Sequence, residues 1–459
     1  MGLHGRVFAK RHIFFSIFMA ASFLAAGASH ALTLTEAREE ALRVNLKVKL
    51  SKEKVSEAAS VKKQRYSDFF AKLDARAFAS HTEPEPRVLV KRGEYGTFPS
   101  TGPVPSSDRA VLVGEQDTLG VALRLEQPVF QGGRIYNSYR QSEAAQEALS
   151  HDEKKIAQDI LLMTESAYID LLKADELKRV AEQHLKTVEA HMTDIQLLYN
   201  RGRAAQNDVL KVKVELARAG EALIVADNDM RIAAGRLNAI LDRPFMQSVE
   251  PEALSESKKF DLTPDEAERL ALSNRADMKS AYGRAREAAF RTKASEADYY
   301  PGLKLMSEYV HQTQQPTSDN DEWSVMMLLE YRLLDFGGRS NRVEAAKSTE
   351  RQRQLDLITV ESVIYSEVHE SLLNVRAADK RVDVTKEALH QADENLRITK
   401  FGFEHGAKTS TDVLDAEDLK IKTNSEHIRA RYDSHHARAV FRHAVGLMHA
   451  ENLEEGAGR

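Results

Sequence analysis

Tyr199-Asn-Arg-Gly202-Arg-Ala-Ala-Gln-Asn-Asp208-Val-Leu210 returns 204 residues later as Phe403-Glu-His-Gly406-Ala-Lys-Thr-Ser-Thr-Asp412-Val-Leu414. The same offset aligns Leu185 with Leu389, Ala174 with Ala378 and Val129 with Leu333. A period of 204 is far longer than the 20–50 residues of a solenoid unit. It marks a duplicated half-protein, with two halves stacked about one pseudo-symmetric core.

Upstream of this echo each half follows one plan: medium helix, strand, loop, strand, very long helix, tight turn, medium helix. The first helix is expected from about Thr35 to Asp68, and its counterpart from Thr263 to about Asp298. Asp68-Phe-Phe-Ala-Lys-Leu73 matches Asp298-Tyr-Tyr-Pro-Gly-Leu303 at an offset of 230, so the first half carries 26 extra residues between its strands. That insertion is the loop from about Ser80 to Thr118, which holds five of the eleven prolines. The second half has only about Gln312 to Glu322 there, and both read as exposed loops.

Four segments alternate like strands. Val121, Leu123 and Leu125 share a face opposite Ala122, Arg124 and Glu126. Trp323, Val325, Met327, Leu329, Tyr331 and Leu333 oppose Ser324, Met326, Leu328, Glu330 and Arg332. Leu73 to Ser80 and Leu303 to Val310 alternate less cleanly. A period of two with charges on one side fits a wet lumen and an apolar exterior. A half-buried sheet in a soluble domain is the alternative. Four strands cannot close a transmembrane barrel, whose minimum is about eight. Strands that meet lipid therefore require oligomerisation.

The stretch from Gly133 to Gly202 has no proline and is helical. Ala167, Leu171, Ala174, Lys178, Ala181, Leu185, Val188, Met192, Ile195 and Tyr199 step by fours and threes. Val375, Ala378, Val382, Thr385, Leu389, Ala392, Leu396, Thr399 and Phe403 repeat the register. This is a coiled-coil seam. At 1.5 Å per residue each such helix is roughly 100 Å long. The helix after the turn, about Asp208 to Asp242, is half that, as is Thr35 to Asp68. Two half-length helices end to end match one long one.

The chain has 459 residues, net charge −5 and no cysteine. Arg6, Lys10 and Arg11, the apolar stretch Ile13 to Ala26 and the small-x-small site Ser29-His30-Ala31 read as a secretory signal at 1–31. An uncleaved anchor is the alternative, though about 14 apolar residues fall short of the ~20 that span a bilayer. Cleavage after Ala31 removes three positive charges and leaves −8. Beyond it no apolar run reaches 18 residues, so any membrane span must be a β-barrel.

Gly202 and Gly406 stand where a long helix reverses, and glycine supplies the positive φ of a C-cap. Asn207 or Asp208, and Ser410, Thr411 or Asp412, then cap the next helix. Capping explains a lone Asp208 or Asp412. It explains Asp415 and Asp418 less well, since with Asp412 they fall at i, i+3, i+6 as an acidic stripe. The first half has Lys211 where the second has Asp415, so the stripe belongs to one repeat. Around a symmetry axis it becomes carboxylate rings at a pore mouth, a device that favours cations.

Gln131-Gly132-Gly133-Arg134 and Asp335-Phe336-Gly337-Gly338-Arg339 mark strand-to-helix junctions. Asp335-Phe336-Gly337 imitates a kinase triplet without the catalytic loop or phosphate loop that a kinase needs. His435, His436 and His443 share one helical face, and His184 and His191 another. Without cysteine or nearby paired acids they read as solvated or packed, and no metal site or cofactor is expected. No HExxH, GxSxG, P-loop or dinucleotide fingerprint occurs, and an enzyme is not expected.

In order and duplication these motifs resemble the TolC-like outer-membrane efflux protein family. The resemblance covers nearly all of the mature chain. It rests on Leu34-Thr35-Glu36-Ala37, Gln127-Pro-Val-Phe-Gln-Gly-Gly-Arg134, Tyr-x-x-Gly-x-x-x-x-x-Asp-Val at 199–209 and Gly-x-x-x-x-x-Asp-Val-Leu-Asp-Ala at 406–416. The resemblance implies a mainly α fold with a small β part. In it a homotrimer pairs four strands per protomer into a 12-strand outer-membrane barrel, continuous with a periplasmic α-barrel of long coiled-coil helices. The repeats would span 32–242 and 263–445. An equatorial region would form from the linker 243–262 and the tail 446–459. The glycine turns would be periplasmic tips that meet an adaptor protein and an inner-membrane pump, with outer-membrane lipid around the barrel and no nucleic acid involved. Asp412 and Asp415 resemble the family's constricting acidic rings, and Asp208 its closed-state latch aspartate. The latch's aromatic hydroxyl is missing, since Phe403 stands in its place. Lys408, opposite Asn207, stands where an arginine is common and pairs less directionally. The implied function is the exit duct of a tripartite efflux or type I secretion system. A periplasmic coiled-coil scaffold without a pore is the rival reading.

Overall fold

A computed structural model describes residues 31–113, 116–255, 262–312 and 321–448. The signal segment 1–30, the end of the tail at 449–459, the linker residues 256–261 and most of the short loop (313–320) lie outside the described residues. Eight helices and eight strands follow in order: α1 Leu34–Val44, α2 Leu46–Ser67, β1 Lys72–His81, β2 Arg87–Val90, β3 Thr97–Phe98, β4 Gly102–Pro103, β5 Arg109–Leu112, β6 Asp117–Gln131, α3 Arg134–Asn200, α4 Gln206–Ile240, α5 Pro264–Asn274, α6 Ala276–Glu296, β7 Gly302–Gln312, β8 Asp321–Glu330, α7 Gly338–Glu404 and α8 Ser410–Ala444.

The duplication holds to the residue. Both ends of α3 and α4 map onto those of α7 and α8 at 204, with 67 residues in each long helix and 35 in each partner. Both ends of α1 map onto those of α5 at 230. Each pair begins identically. Thr33 Oγ1 accepts from Glu36 N (3.1 Å) while Glu36 Oε2 accepts from Thr33 N (2.9 Å). Thr263 and Glu266 repeat this capping box, which satisfies two otherwise orphaned N–H groups.

The medium helix expected at the start of each repeat, about Thr35 to Asp68 and Thr263 to Asp298, is two helices. The chain becomes extended at Asn45 (φ −62°, ψ 127°) and at Arg275 (φ −59°, ψ 124°). Neither break has a glycine or proline. Arg275 is buried, and its guanidinium donates to Asp277, to Glu367 and to the Ala444 carbonyl (3.3 Å). Tertiary partners, not local propensity, set that break.

The chain forms two compact units, each drawing on both repeats: Met1–Asn45, Ile160–Phe260 and Asn374–Val440 in one, Leu46–Asp159, Asp261–Leu373 and Phe441–Arg459 in the other. In the first unit the expected seam is the buried side of α7: Val375, Ala378, Val382, Thr385, Leu389, Ala392, Leu396 and Thr399 are buried or half-buried among exposed neighbours. The α3 seam packs into a cluster of Val188, Ile195, Val212 and Ala219 with Leu185, Met192, Leu216 and Leu414. Tyr168, fully buried, points its hydroxyl at the carbonyls of Leu32 (2.7 Å) and Glu252 (2.8 Å). Burial pushes that phenol up to about 12, so it stays a donor.

In the second unit β1, β6, β7 and β8 form one antiparallel sheet in the order β1-β6-β7-β8. The expected β8 alternation runs on to Leu333, but the strand stops at Glu330. There its partner runs out, because Glu330 faces Gly302, the first residue of β7, and Pro301 before it has no N–H to give. The long loop is more ordered than expected. It holds two small ribbons, β2 with β5 and β3 with β4, and Val90 is buried.

Candidate functional site

Two features hold the residues singled out by the sequence: the four-stranded sheet and the pair of helix reversals. In the sheet, register puts residues directly opposite one another on the same face. Leu73, Leu125, Ser307 and Val325 make one row, and Ala75, Leu123, Tyr309 and Trp323 the next. Asp74, Arg124, Glu308 and Ser324 make a row on the other face, where Arg124 donates to Glu308 at 2.9 Å. Lys304 pairs with Glu126 on that charged face at 3.1 Å. The opposite face is apolar and bare: Trp323 is 71% exposed and Leu329 65%. Bare tryptophan, leucine, valine and methionine on one side, with ion pairs on the other, is the pattern of a barrel wall between lipid and water. The strands are 10, 15, 11 and 10 residues long. About 9–11 tilted residues cross a bilayer. No helix among the described residues is long and apolar enough to do so.

The first reversal joins α3 to α4 and the second α7 to α8. Gly202 (φ 72°) and Gly406 (φ 74°) take the left-handed conformation at the helix C-termini. A Cβ on either would meet nothing within 4 Å, so glycine is there for its φ and not for space. Arg203 N donates to the Leu198 carbonyl and Ala407 N to the Gly402 carbonyl, both at 2.8 Å, closing equivalent caps.

The helix starts differ from the expectation. Among the cap candidates only Asp208 and Asp412 act, and both do so from the third helical position. The caps themselves are Ala205 and Thr409. Asp412 Oδ2 accepts from Thr409 N (2.7 Å) and from Thr409 Oγ1 (2.8 Å), and Thr409 Oγ1 accepts from Asp412 N (3.2 Å). The backbone and hydroxyl bonds from Thr409 hold the Asp412 carboxyl below its ordinary value. Asp208 accepts only from Ala205 N, at 3.2 Å, because an alanine cap has no oxygen to answer with. Thr409 was missed, although Thr409-Ser-Thr-Asp412 is a variant of the capping-box spacing with aspartate in the glutamate's place.

Of the latch residues, Phe403 packs edge-on against His191, ring centroids 6.0 Å apart. His191 Nε2 lies 2.9 Å from Ser410 Oγ, both side chains buried. Burial lowers the His191 pKa, and Glu417 and Asp194 only partly oppose this. The stem of Lys408 crosses Gly402, where an added Cβ would come within 2.7 Å of its Cγ. Lys211 Nζ donates to Thr411 Oγ1 at 3.1 Å, a bond between the repeats that sequence spacing did not reveal. Asn207 and Asp208 are not brought against Phe403 by any hydrogen bond; Asp208 is used by its own helix start.

The Asp412–Asp415–Asp418 stripe winds. Steps of three residues advance 300°, so Asp412 and Asp418 lie about 120° apart around the helix. Asp412 caps, Asp415 is exposed, and Asp418 reaches His184 and Glu215. Lys400 pairs with the buried Glu417 at 2.8 Å and Lys420 with Asp393 at 2.7 Å, fastening α7 to α8 just above the reversal. At the junctions Gly132 and Gly133 stand between β6 and α3, both with positive φ. Gly337 stands between β8 and α7 with φ 89°, and Gly338 opens α7. Asp335 is no kinase group: its Oδ2 accepts from Arg339 N at 2.8 Å.

The sequence profile of the family described as outer membrane efflux protein matches residues 107–243 and 268–447. The outer membrane efflux protein BepC of Brucella suis biovar 1 (strain 1330) is 21% identical over 366 residues, 77% of this chain and 76% of its own. Nodulation protein T of Rhizobium leguminosarum bv. trifolii is 22% identical over 432 residues, 90% of this chain and 85% of its own. Among solved structures, the outer membrane protein VceC of Vibrio cholerae matches the fold with a TM-score of 0.75 at 17% identity, over 90% of this chain and 96% of its own. The sheet with one lipid-type face and the paired long helical hairpins define a channel of outer-membrane type. The chain belongs to the outer membrane efflux protein family. It is an exit channel for efflux, placed in the Gram-negative outer membrane and extending into the periplasm. Channel proteins of this kind transport and do not catalyse.

Proposed function

We propose that the working unit is a homotrimer. One observation carries this reading: the sheet is open. β1 and β8 each have an unpaired edge, and a bare edge in lipid leaves backbone groups unsatisfied at several kcal/mol apiece. Closing β8 of one copy on β1 of the next satisfies both edges, and four strands from each of three copies give twelve. Exposed Leu355, Ile358, Val363 and Tyr365 on α7 supply apolar surface for the same neighbours. The repeats 32–242 and 263–445 then form equivalent halves of each protomer's wall, with 243–262 and 446–459 as an equatorial belt.

In this reading the two glycine reversals are the periplasmic mouth, and they meet a periplasmic adaptor and an inner-membrane pump. Asp415, backed by Asp412 and Asp418, provides the acidic ring. Asn207, Asp208, Phe403 and Lys408 line the contact that closes it. Phe403 cannot supply a hydroxyl, so closure rests on packing and on lysine contacts. Outer-membrane fractions run with and without boiling test the assembly. A heat-modifiable trimer is expected; a soluble periplasmic monomer would instead establish the scaffold reading.

A further inference from the structure

Sequence spacing offers His184 no acidic neighbour, but the fold supplies two from other helices. His184 on α3, Glu215 on α4 and Asp418 on α8 bring one ligand atom each to within 4.8 Å of the others. His184 is only 8% exposed. Its Nδ1 has no hydrogen-bond partner, and its Nε2 stands 3.8 Å from Glu215 Oε1, beyond hydrogen-bond reach. A buried imidazole normally spends at least one ring nitrogen on a partner, because a buried polar atom left unpaired loses its hydration with nothing in return.

The charge balance of the cluster is also incomplete. Two carboxylates face one another beside a histidine, and the cation nearest Glu215 is Arg218, whose Nη1 is 3.5 Å from Glu215 Oε2. The Arg218 side chain is 71% exposed, so it can swing into solvent at little cost.

We propose that His184, Glu215 and Asp418 form a binding site for a divalent first-row transition ion, zinc above all. An imidazole nitrogen with two carboxylates is a donor set for such an ion, whereas magnesium and calcium are bound by oxygen alone. Tetrahedral zinc with bonds near 2.0–2.1 Å holds its ligand atoms about 3.3 Å apart. Closing from the present separations takes side-chain rotation of about 1 Å. Asp418 is exposed, which leaves a fourth position for water. The ion would staple both helices of the first repeat's hairpin to α8 of the second. It thereby opposes any motion that parts α8 from α3 and α4.

The experiment uses the full-length protein in detergent, stripped with a chelator, and titrates zinc alone by calorimetry. One zinc per chain at micromolar or tighter affinity is expected. Asp418→Asn and His184→Ala should each weaken it at least about tenfold, the loss of a ligand exceeding that of a merely outer partner. His390→Gln, an exposed histidine on α7, should leave it unchanged. Asp418 is at the surface, so its variant decides the matter if His184→Ala fails to fold. Absence of binding in the parent protein, or equal affinity in parent and Asp418→Asn, overturns the proposal. The readout is binding, so its failure would leave the channel reading untouched.

Discussion

Lys211 Nζ donates to Thr411 Oγ1 at 3.1 Å, and through that bond the second turn of α4 in one repeat holds the first turn of α8 in the other. Lys408 reinforces the same end by laying its stem across Gly402. With Phe403 in place of a hydroxyl-bearing aromatic, the Lys211 bond and the buried His191–Ser410 contact are polar contacts between the repeats at this end, and the Lys408 stem adds packing. Lys211→Met and Lys408→Ala should each raise the closed-state current in planar bilayers, and the double variant should raise it further. Unchanged current in all three would place closure elsewhere.

The two helix starts are unequal, and the inequality is testable. Thr409 completes a capping box with Asp412, while Ala205 leaves Asp208 with half of one. Thr409→Val should destabilise the first unit by about 1 kcal/mol, and Ala205→Thr should stabilise it by a similar amount. Chemical denaturation reads both. The Asp412 carboxyl is held below its unfolded value, so its contribution is present above the ordinary aspartate range and fades as pH falls through the lowered value.

The buried His191 titrates in the opposite chemical sense, from neutral to charged. Its folded pKa is lowered, so the unfolded chain takes up the proton first. Stability of the α3–α8 contact is therefore full above about 6.5 and falls as pH drops from there toward the lowered folded value. Amide protection factors near Ser410, corrected for the intrinsic pH dependence of exchange, should fall between about pH 7.5 and 5.5, and His191→Gln should flatten that dependence. A pH response undiminished in the variant would assign it to another group.

Arg275 sits at the break between α5 and α6 with Asp277, Glu367 and the Ala444 carbonyl around it. Burial raises the Asp277 carboxyl, but the Arg275 hydrogen bond and charge outweigh it and leave it lowered overall. Removing the guanidinium strands that carboxylate, so Arg275→Ala should cost the second unit about 3 kcal/mol in denaturant unfolding. Arg275→Lys should recover little, because one ammonium cannot match a planar fork with several acceptors.

Much of this fold was legible in the sequence because duplication repeats its evidence. The offset at Gly202 and Gly406 fixed both reversals, and the fours-and-threes from Val375 to Thr399 named the buried side of α7. Local signals could not reveal what distant residues impose. Two of the three partners that hold Arg275 at its helix break lie 92 and 169 residues away, out of reach of local signals. The ribbons within the long loop, β2 with β5, are too short for alternation to show. His184 meets Glu215 and Asp418 only after three helices pack, whereas the winding of the acidic stripe already follows from its three-residue steps. The capping position fell to Thr409, one residue before the nearest candidate Ser410, and to Ala205, two residues before Asn207.

Closure of the barrel between copies is the central claim, and cross-linking of the sheet edges tests it most directly. The chain has no cysteine, so an introduced pair has no background. Ala77→Cys on β1 and Val325→Cys on β8 sit three strand spacings apart and four residues out of register, so their Cα atoms are roughly 20 Å apart at ~4.8 Å per strand and ~3.3 Å per residue. A disulfide spans Cα atoms no more than about 7 Å apart, so none can form within one sheet. With a mild disulfide-forming oxidant in outer-membrane fractions, the double variant should give covalent dimers and trimers and nothing larger, and each single variant should give no trimer. A double variant that stays monomeric, or that links into unbounded ladders, would contradict a closed barrel of three.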